Sequence, residues 1–162
     1  MMIFSNKSNV NSSNGFIVAG QTYSIDQDVL GHHGNSDGWF VRVDSNGDLV
    51  WSKCYGGSLY DEINSIIQTS NGKYALLGSS RSSDEDVPGN NGDRDFLFML
   101  LDVGGNIEWS ENYGGTSTEI GSSLIETTDG DYILAGNTYS DDNDVSGNNG
   151  LSDGWVLQLR QQ

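Results

Sequence analysis

Slid against itself by 58 residues, the sequence stays in register without a gap from about residue 15 to residue 160. Asp26 aligns with Asp84 and Asp142, Asp28 with Asp86 and Asp144, Val29 with Val87 and Val145, and Asp37 with Asp95 and Asp153. Gly31, Gly89 and Gly147 coincide, as do Gly34, Gly92 and Gly150; Trp51 matches Trp109, Tyr55 matches Tyr113, and Gly56-Gly57 matches Gly114-Gly115. A chain copied at such an interval is one structural unit repeated, each copy burying its apolar face against the next.

The unit is made of strands. Its apolar segments are short, rich in β-branched and aromatic residues, and bounded by turn residues: Phe16–Gly20, Trp39–Val43, Leu49–Cys54 and Ser65–Thr69, then Tyr74–Gly78, Phe96–Leu101, Ile107–Asn112, Ser123–Thr127, Tyr132–Gly136 and Trp155–Leu159. Asp44–Gly47 and Asp102–Gly105 supply hairpin turns, as do Ser70–Gly72 and Thr128–Gly130, because Asn-Gly and Asp-Gly adopt the positive φ that tight turns need. Four antiparallel strands per period predict an all-β fold of β-propeller blades, with a β-solenoid as the structural rival. Residues 15–162 hold about 2.5 periods, and residues 1–14 form an irregular segment with a candidate strand at Met2–Phe4. The chain thus carries fewer than three full blades. Open edges and an uncovered blade face would then drive self-association, two chains closing a six-bladed ring being the simplest case; a piece cut from a longer array is the alternative.

Charge narrows the partners. Against 23 acidic residues stand 7 basic ones, for a formal charge of −16. Phosphate binding needs clustered Lys and Arg, so nucleic acid is excluded as a partner, and an anionic membrane surface is disfavoured for the same reason. No apolar run is long enough for a transmembrane helix, and Met1–Lys7 lacks the apolar core of a signal peptide.

The run Asp-x-Asp-Val-x-Gly-x-x-Gly-x-x-Asp (from Asp26), Asp44-Ser-Asn-Gly-Asp-Leu-Val-Trp51, and Thr69-Ser-Asn-Gly-Lys-Tyr-Ala-Leu-Leu-Gly78 resembles the repeats of large secreted or surface proteins of bacteria and archaea. The resemblance covers nearly the whole chain. It implies propeller blades, an extracellular or cell-surface setting, and no established activity. The Asp44–Trp51 hairpin also resembles, more weakly, the tryptophan-docking motif of quinoprotein propellers, which implies only that Trp51 and Trp109 lock adjacent blades.

Chemistry concentrates in the Asp-rich loops. Asp26, Asp28 and Asp37, with Asp84, Asp86 and Asp95 and then Asp142, Asp144 and Asp153, space carboxylates around glycines as oxygen ligands are spaced in calcium loops, although not in EF-hand order. Calcium is the cation such loops would take. The competing account is that the same side chains accept hydrogen bonds from backbone N–H groups and need no metal. Trp39 and Trp155 follow these loops directly and are the candidate sugar-stacking platforms. His32, His33 and the lone Cys54 align with Asn90, Asn91 and Asn112, which argues against catalysis by any of them. A glycosidase would need a carboxyl pair; Asp61, Glu62 and Glu119 are available, but nothing singles out a pair. No Ser-His-Asp set, phosphate loop or Cys/His metal motif occurs. The sequence therefore reads as a noncatalytic binding or adhesion module, with glycans as candidate ligands, or else as a structural repeat for assembly and surface display.

Overall fold

The computed structural model describes residues 7–11, 15–26 and 28–160. Eleven strands follow in order: β1 (Lys7–Asn11), β2 (Gly15–Thr22), β3 (Asp37–Val43), β4 (Leu49–Tyr55), β5 (Asp61–Gln68), β6 (Tyr74–Ser80), β7 (Asp95–Leu101), β8 (Ile107–Tyr113), β9 (Glu119–Glu126), β10 (Tyr132–Thr138) and β11 (Asp153–Leu159). They form three antiparallel meanders, β1-β2-β3-β4, β5-β6-β7-β8 and β9-β10-β11, that do not close on one another. The fold is all-β, as the repeat implies. Among the described residues no helix is long and apolar enough to cross a membrane.

Two boundaries differ from expectation. The candidate strand at Met2–Phe4 lies outside the described residues, and the first strand is the polar segment Lys7–Asn11. Its register explains why a poor sequence match still serves: Asn9 faces Ile17 as Ile67 faces Ala75, one repeat later. Backbone pairing with β2 places this segment where its side chains alone would not. β5 and β9 also begin four residues earlier than the apolar pattern suggests. Asp61 and Glu119 are drawn into the sheet by hydroxyls on the neighbouring strand, Ser80 Oγ donating to Asp61 Oδ1, and Thr138 Oγ1 to Glu119 Oε1 at 2.7 Å.

Each sheet packs on the next, and β5 lies against β1, β2 and β3 as β9 lies against β5, β6 and β7. The resulting cores repeat. Phe40 sits 4.8 Å from Trp51 and 5.4 Å from Tyr74 between the first and second sheets; Phe98 sits 4.9 Å from Trp109 and 5.1 Å from Tyr132 between the second and third. Trp51 and Trp109 thus pack between adjacent sheets as expected. Burying one such ring contributes about 2 to 3 kcal/mol, so these triads are the main apolar fastening of each junction.

Candidate functional site

Between successive sheets runs a short linker, residues 56–60 and again 114–118. Its amides meet a wall of acidic and hydroxyl oxygens. At the first junction Gly56 N–H donates to Asp86 Oδ2 at 3.3 Å, Gly57 to Asp61 Oδ2 at 2.7 Å, Ser58 to Asp84 Oδ1 at 2.8 Å and Leu59 to Ser82 Oγ at 3.0 Å. At the second, Gly114 donates to Asp144 at 3.2 Å, Gly115 to Glu119 at 2.8 Å, Thr116 to Asp142 at 2.8 Å and Ser117 to Ser140 at 2.9 Å. The first four amides of each linker thus meet the same repeat positions at both junctions. A buried, unpaired N–H would cost about 1 to 3 kcal/mol, so this arrangement is what lets the chain pass between sheets.

The Asp-rich loops are therefore clamps on the linker before them. Asp84 and Asp86 reach back from the second sheet, Asp142 and Asp144 from the third. Asp26 and Asp28 are exposed, and no such linker precedes the first sheet among the described residues. The third aspartate closes its own loop: Asp37 Oδ2 accepts from His33 N at 2.7 Å, Asp95 from Asn91 N at 2.6 Å and Asp153 from Asn149 N at 2.8 Å. The Ser58 amide holds the Asp84 carboxyl below the usual carboxylate range, and the Thr116 hydroxyl followed by its amide does the same for Asp142. Replacing Asp142 by Ala strands Thr116 N–H and its hydroxyl, which lies 2.7 Å from Asp142 Oδ2; chemical denaturation should show a loss of stability, larger than that for Asp26→Ala.

Two carboxylates at each junction converge on the first linker glycine. A Cβ added to Gly114 would meet Asp95 Oδ1 at 2.3 Å and Glu119 Oε2 at 2.5 Å, which puts these two oxygens within about 5 Å of each other; Asp61 Oδ2 and Asp37 Oδ1 flank Gly56 likewise. Asp37 Oδ1 and Asp95 Oδ1 are buried without a hydrogen-bond partner. Burial first, then Glu119 and Asp144, push the Asp95 carboxyl up to about 6, and burial also raises Asp37. At the first junction His33 Nδ1 stands 3.2 Å from Asp37 and 4.0 Å from Asp86, where the second junction has the neutral Asn91.

In the second and third loops the first two aspartates bind linker amides and the third an amide of its own loop, the arrangement of the metal-free account. The glycosidase candidates are structural in geometry: Asp61 and Glu119 occupy one repeat position in different copies, each holding a linker amide, and Glu62 pairs with Arg94 at 3.1 Å. The expected sugar platforms are core residues: Trp39, 8% exposed, donates Nε1–H to Ser52 Oγ at 2.7 Å, and Trp155, 9% exposed, packs 4.9 Å from Phe96. Stacking a sugar on either ring would require displacing its covering side chains. Burial pushes the Cys54 thiol up to about 12, so it stays protonated and unreactive.

Beside each linker lies a cavity that the repeat pattern does not announce. One, of about 580 Å³, is lined by His33, Lys53, Cys54, Tyr55 and Asp86 among others; the second, of about 310 Å³, by Asn91, Glu111, Asn112, Tyr113 and Asp144, the same positions one repeat later. The chain matches no protein-family model and no curated protein. Its function must be read from this geometry.

Proposed function

We propose that the chain is a noncatalytic binding and adhesion module whose sheets are blades of a β-propeller, closed into a ring with further copies of itself. The supporting observation is the pair of equivalent cavities. The positions that build their frame, Gly31/Gly89, Tyr55/Tyr113 and Asp86/Asp144, keep their identity between repeats, whereas four that line the cavity change: Leu30 to Pro88, His33 to Asn91, Lys53 to Glu111 and Cys54 to Asn112. A constant frame with an exchanged lining suits ligand recognition; catalysis would call for a defined set of reacting groups at one place. Repeating sites in one assembly adds avidity to weak single contacts.

Blade geometry is supported by how the sheets approach: close at their first strands, with Trp51 and Trp109 filling the space farther out. Phe16, Trp39 and Val41 on the outer face of the first sheet occupy the positions of Tyr74, Leu97 and Met99, which bury against a preceding sheet in the second. On the third sheet Ile125 and Val156, 56% and 65% exposed, occupy the positions of Ile67 and Phe98, which pack on a following sheet. Light scattering should give a dimer or larger closed assembly, and a strict monomer at all concentrations would sink ring closure.

Binding is tested by probing arrayed glycans, neutral and charged, together with immobilised extracellular proteins, each with and without calcium. Retention on any of them supports the module, and a signal only with calcium would restore the loops as cation sites. The fully engaged linker clamps favour a purely structural repeat as the second reading; a blank array in both conditions would decide for it.

A further inference from the structure

The two cavities share a frame but not a chemistry. At the first junction Lys53 donates to Gly105 O and Asn106 Oδ1, each at 2.9 Å, and Tyr55 donates to Gly105 O at 2.7 Å, so these polar groups are spent on the neighbouring sheet. At the second junction Glu111 stands in place of Lys53, and Asn112 in place of Cys54. Asn112 is the unusual residue. Its Oδ1 and Nδ2 are both shielded from solvent, and neither has a hydrogen-bond partner in the protein. Leaving a carboxamide unpaired on both sides is costly, and an apolar or thiol side chain at the same repeat position, as in Cys54, avoids that cost.

The rest of the lining restricts what could satisfy it. Glu111 and Asp144 are acceptors, and no basic side chain lines the cavity, so an anionic ligand would meet only repulsion. Tyr113 is pushed up to about 12, by burial first and then by Glu111 and Asp144, and so keeps its hydroxyl proton. Asn91 fixes one wall, donating Nδ2–H to Gly114 O at 3.2 Å and to Asp144 Oδ2 at 3.3 Å. A metal cation could serve Asn112 Oδ1 but would leave Nδ2 without an acceptor. A hydroxyl pair serves both once the carboxamide turns into the cavity that Asn112 lines: one hydroxyl donates to Oδ1, its neighbour accepts from Nδ2, and further hydroxyls donate to the carboxylates.

We propose that the cavity at the second junction, centred on Asn112, is a binding site for a neutral polyhydroxylated ligand, a saccharide unit with adjacent hydroxyls. It rests on the binding reading above and places the sugar site in this cavity, away from Trp39 and Trp155. A cavity of about 310 Å³ is of the size that takes one small ligand.

The test is titration of the full chain with neutral oligosaccharides of glucose, galactose, mannose and N-acetylglucosamine at millimolar concentration, followed by calorimetry or by amide shifts in NMR. At least one should bind. Asn112→Cys, which installs the residue of the first junction, should weaken that binding about tenfold, the loss of two hydrogen bonds, while thermal stability holds or rises. Should that variant fail to fold, Glu111→Lys, an exposed position that carries Lys in the first repeat, should weaken it as well. No binding by any neutral sugar overturns the site; so does binding that Asn112→Cys leaves unchanged in a folded protein, or a shift of the Asn112 amide caused only by calcium chloride. If the neutral sugars fail while a charged glycan or a protein is still retained on the array, the site falls and the binding module stands.

Discussion

The melting temperature is expected to fall as pH rises from about 4.5 to about 6.5, the reverse of what a surface rich in well-paired carboxylates would give. Asp95 is fully buried, faces Glu119 and Asp144, and has no basic side chain against it. Its carboxyl is raised from 3.8 to about 6 in the folded chain. A group raised in this way contributes stability that is complete below its unfolded value and is lost as pH rises through its folded value, here between about 4 and 6. Asp37 and Asp86 are raised in the same direction, and His33 between them moderates the first junction. The lowered groups, Asp44, Asp84, Asp102 and Asp142, act oppositely: the stability they lend is present above the unfolded carboxylate value and disappears as pH drops below it. The two sets together place the stability maximum at the acid end of that window, about pH 4 to 5. Self-repulsion from the net charge of −16 runs the same way but is screened by salt, whereas the buried pair is not. Asp95→Asn keeps the acceptor for Asn91 N–H and places a donor beside Glu119. It should raise the melting temperature at pH 7.5 and flatten the slope in 0.5 M salt as well as at low salt. A wild-type melting temperature that is flat or rising over this range would show that the carboxyl pair is not held as described.

How much of this was legible beforehand depends on whether the partner lies inside one repeat. Hairpin turns and strands are local, and the aromatic triads follow from alternation, so Trp51 and Trp109 were placed correctly between sheets. Trp39 and Trp155, also in strands, follow a polar loop whose position suggests an open mouth; the fold covers them with Val29 and Cys54 in one case and Phe96 in the other. The linker clamps were hidden for a different reason. Ser58 and Asp84 are 26 residues apart and belong to successive repeats, so aligning repeats reveals that the aspartates recur without revealing what they hold. Asp61 and Glu119 fall outside the apolar segments because acidic side chains seldom open a buried strand; the Ser80 and Thr138 hydroxyls and the linker amides offset the cost of burying them. The cavities were missed because alignment by repetition highlights the positions that stay constant. His33, Cys54 and Asn112 vary between copies and were set aside on that account, yet they line the two cavities beside the linkers.

The clamp also explains a recurring glycine in steric terms, and a matched pair of substitutions isolates it. A Cβ on Gly92 would meet Gly115 O at 2.2 Å and the Thr116 carbonyl carbon at 2.5 Å, both backbone atoms of the linker; on Gly34 it would meet Gly57 O at 2.3 Å. Neither linker can retreat, because its amides are pinned by the side chains behind it and Asp93 and Asn35 amides bind Ser117 O at 2.9 Å and Leu59 O at 2.8 Å in front. Gly150 is the same repeat position in the third sheet, yet a Cβ there meets nothing within 4 Å. Neither Gly92 nor Gly150 has a positive φ, so conformational strain drops out of the comparison and packing alone separates them. Gly92→Ala should cost about 2 to 3 kcal/mol, by overpacking against backbone, and lower the melting temperature by roughly 5 to 10 °C. Gly150→Ala should change stability by no more than about 0.5 kcal/mol in the isolated chain, since no linker lies against it. The pair also reads assembly. If a second copy packs its first sheet on the third sheet in the way the internal junctions do, Gly150 becomes a contact residue, and Gly150→Ala should then lower the association constant while leaving the monomer's stability alone. Equal effects of Gly92→Ala and Gly150→Ala on unfolding at monomer concentrations would mean that the linker is not held against the loops.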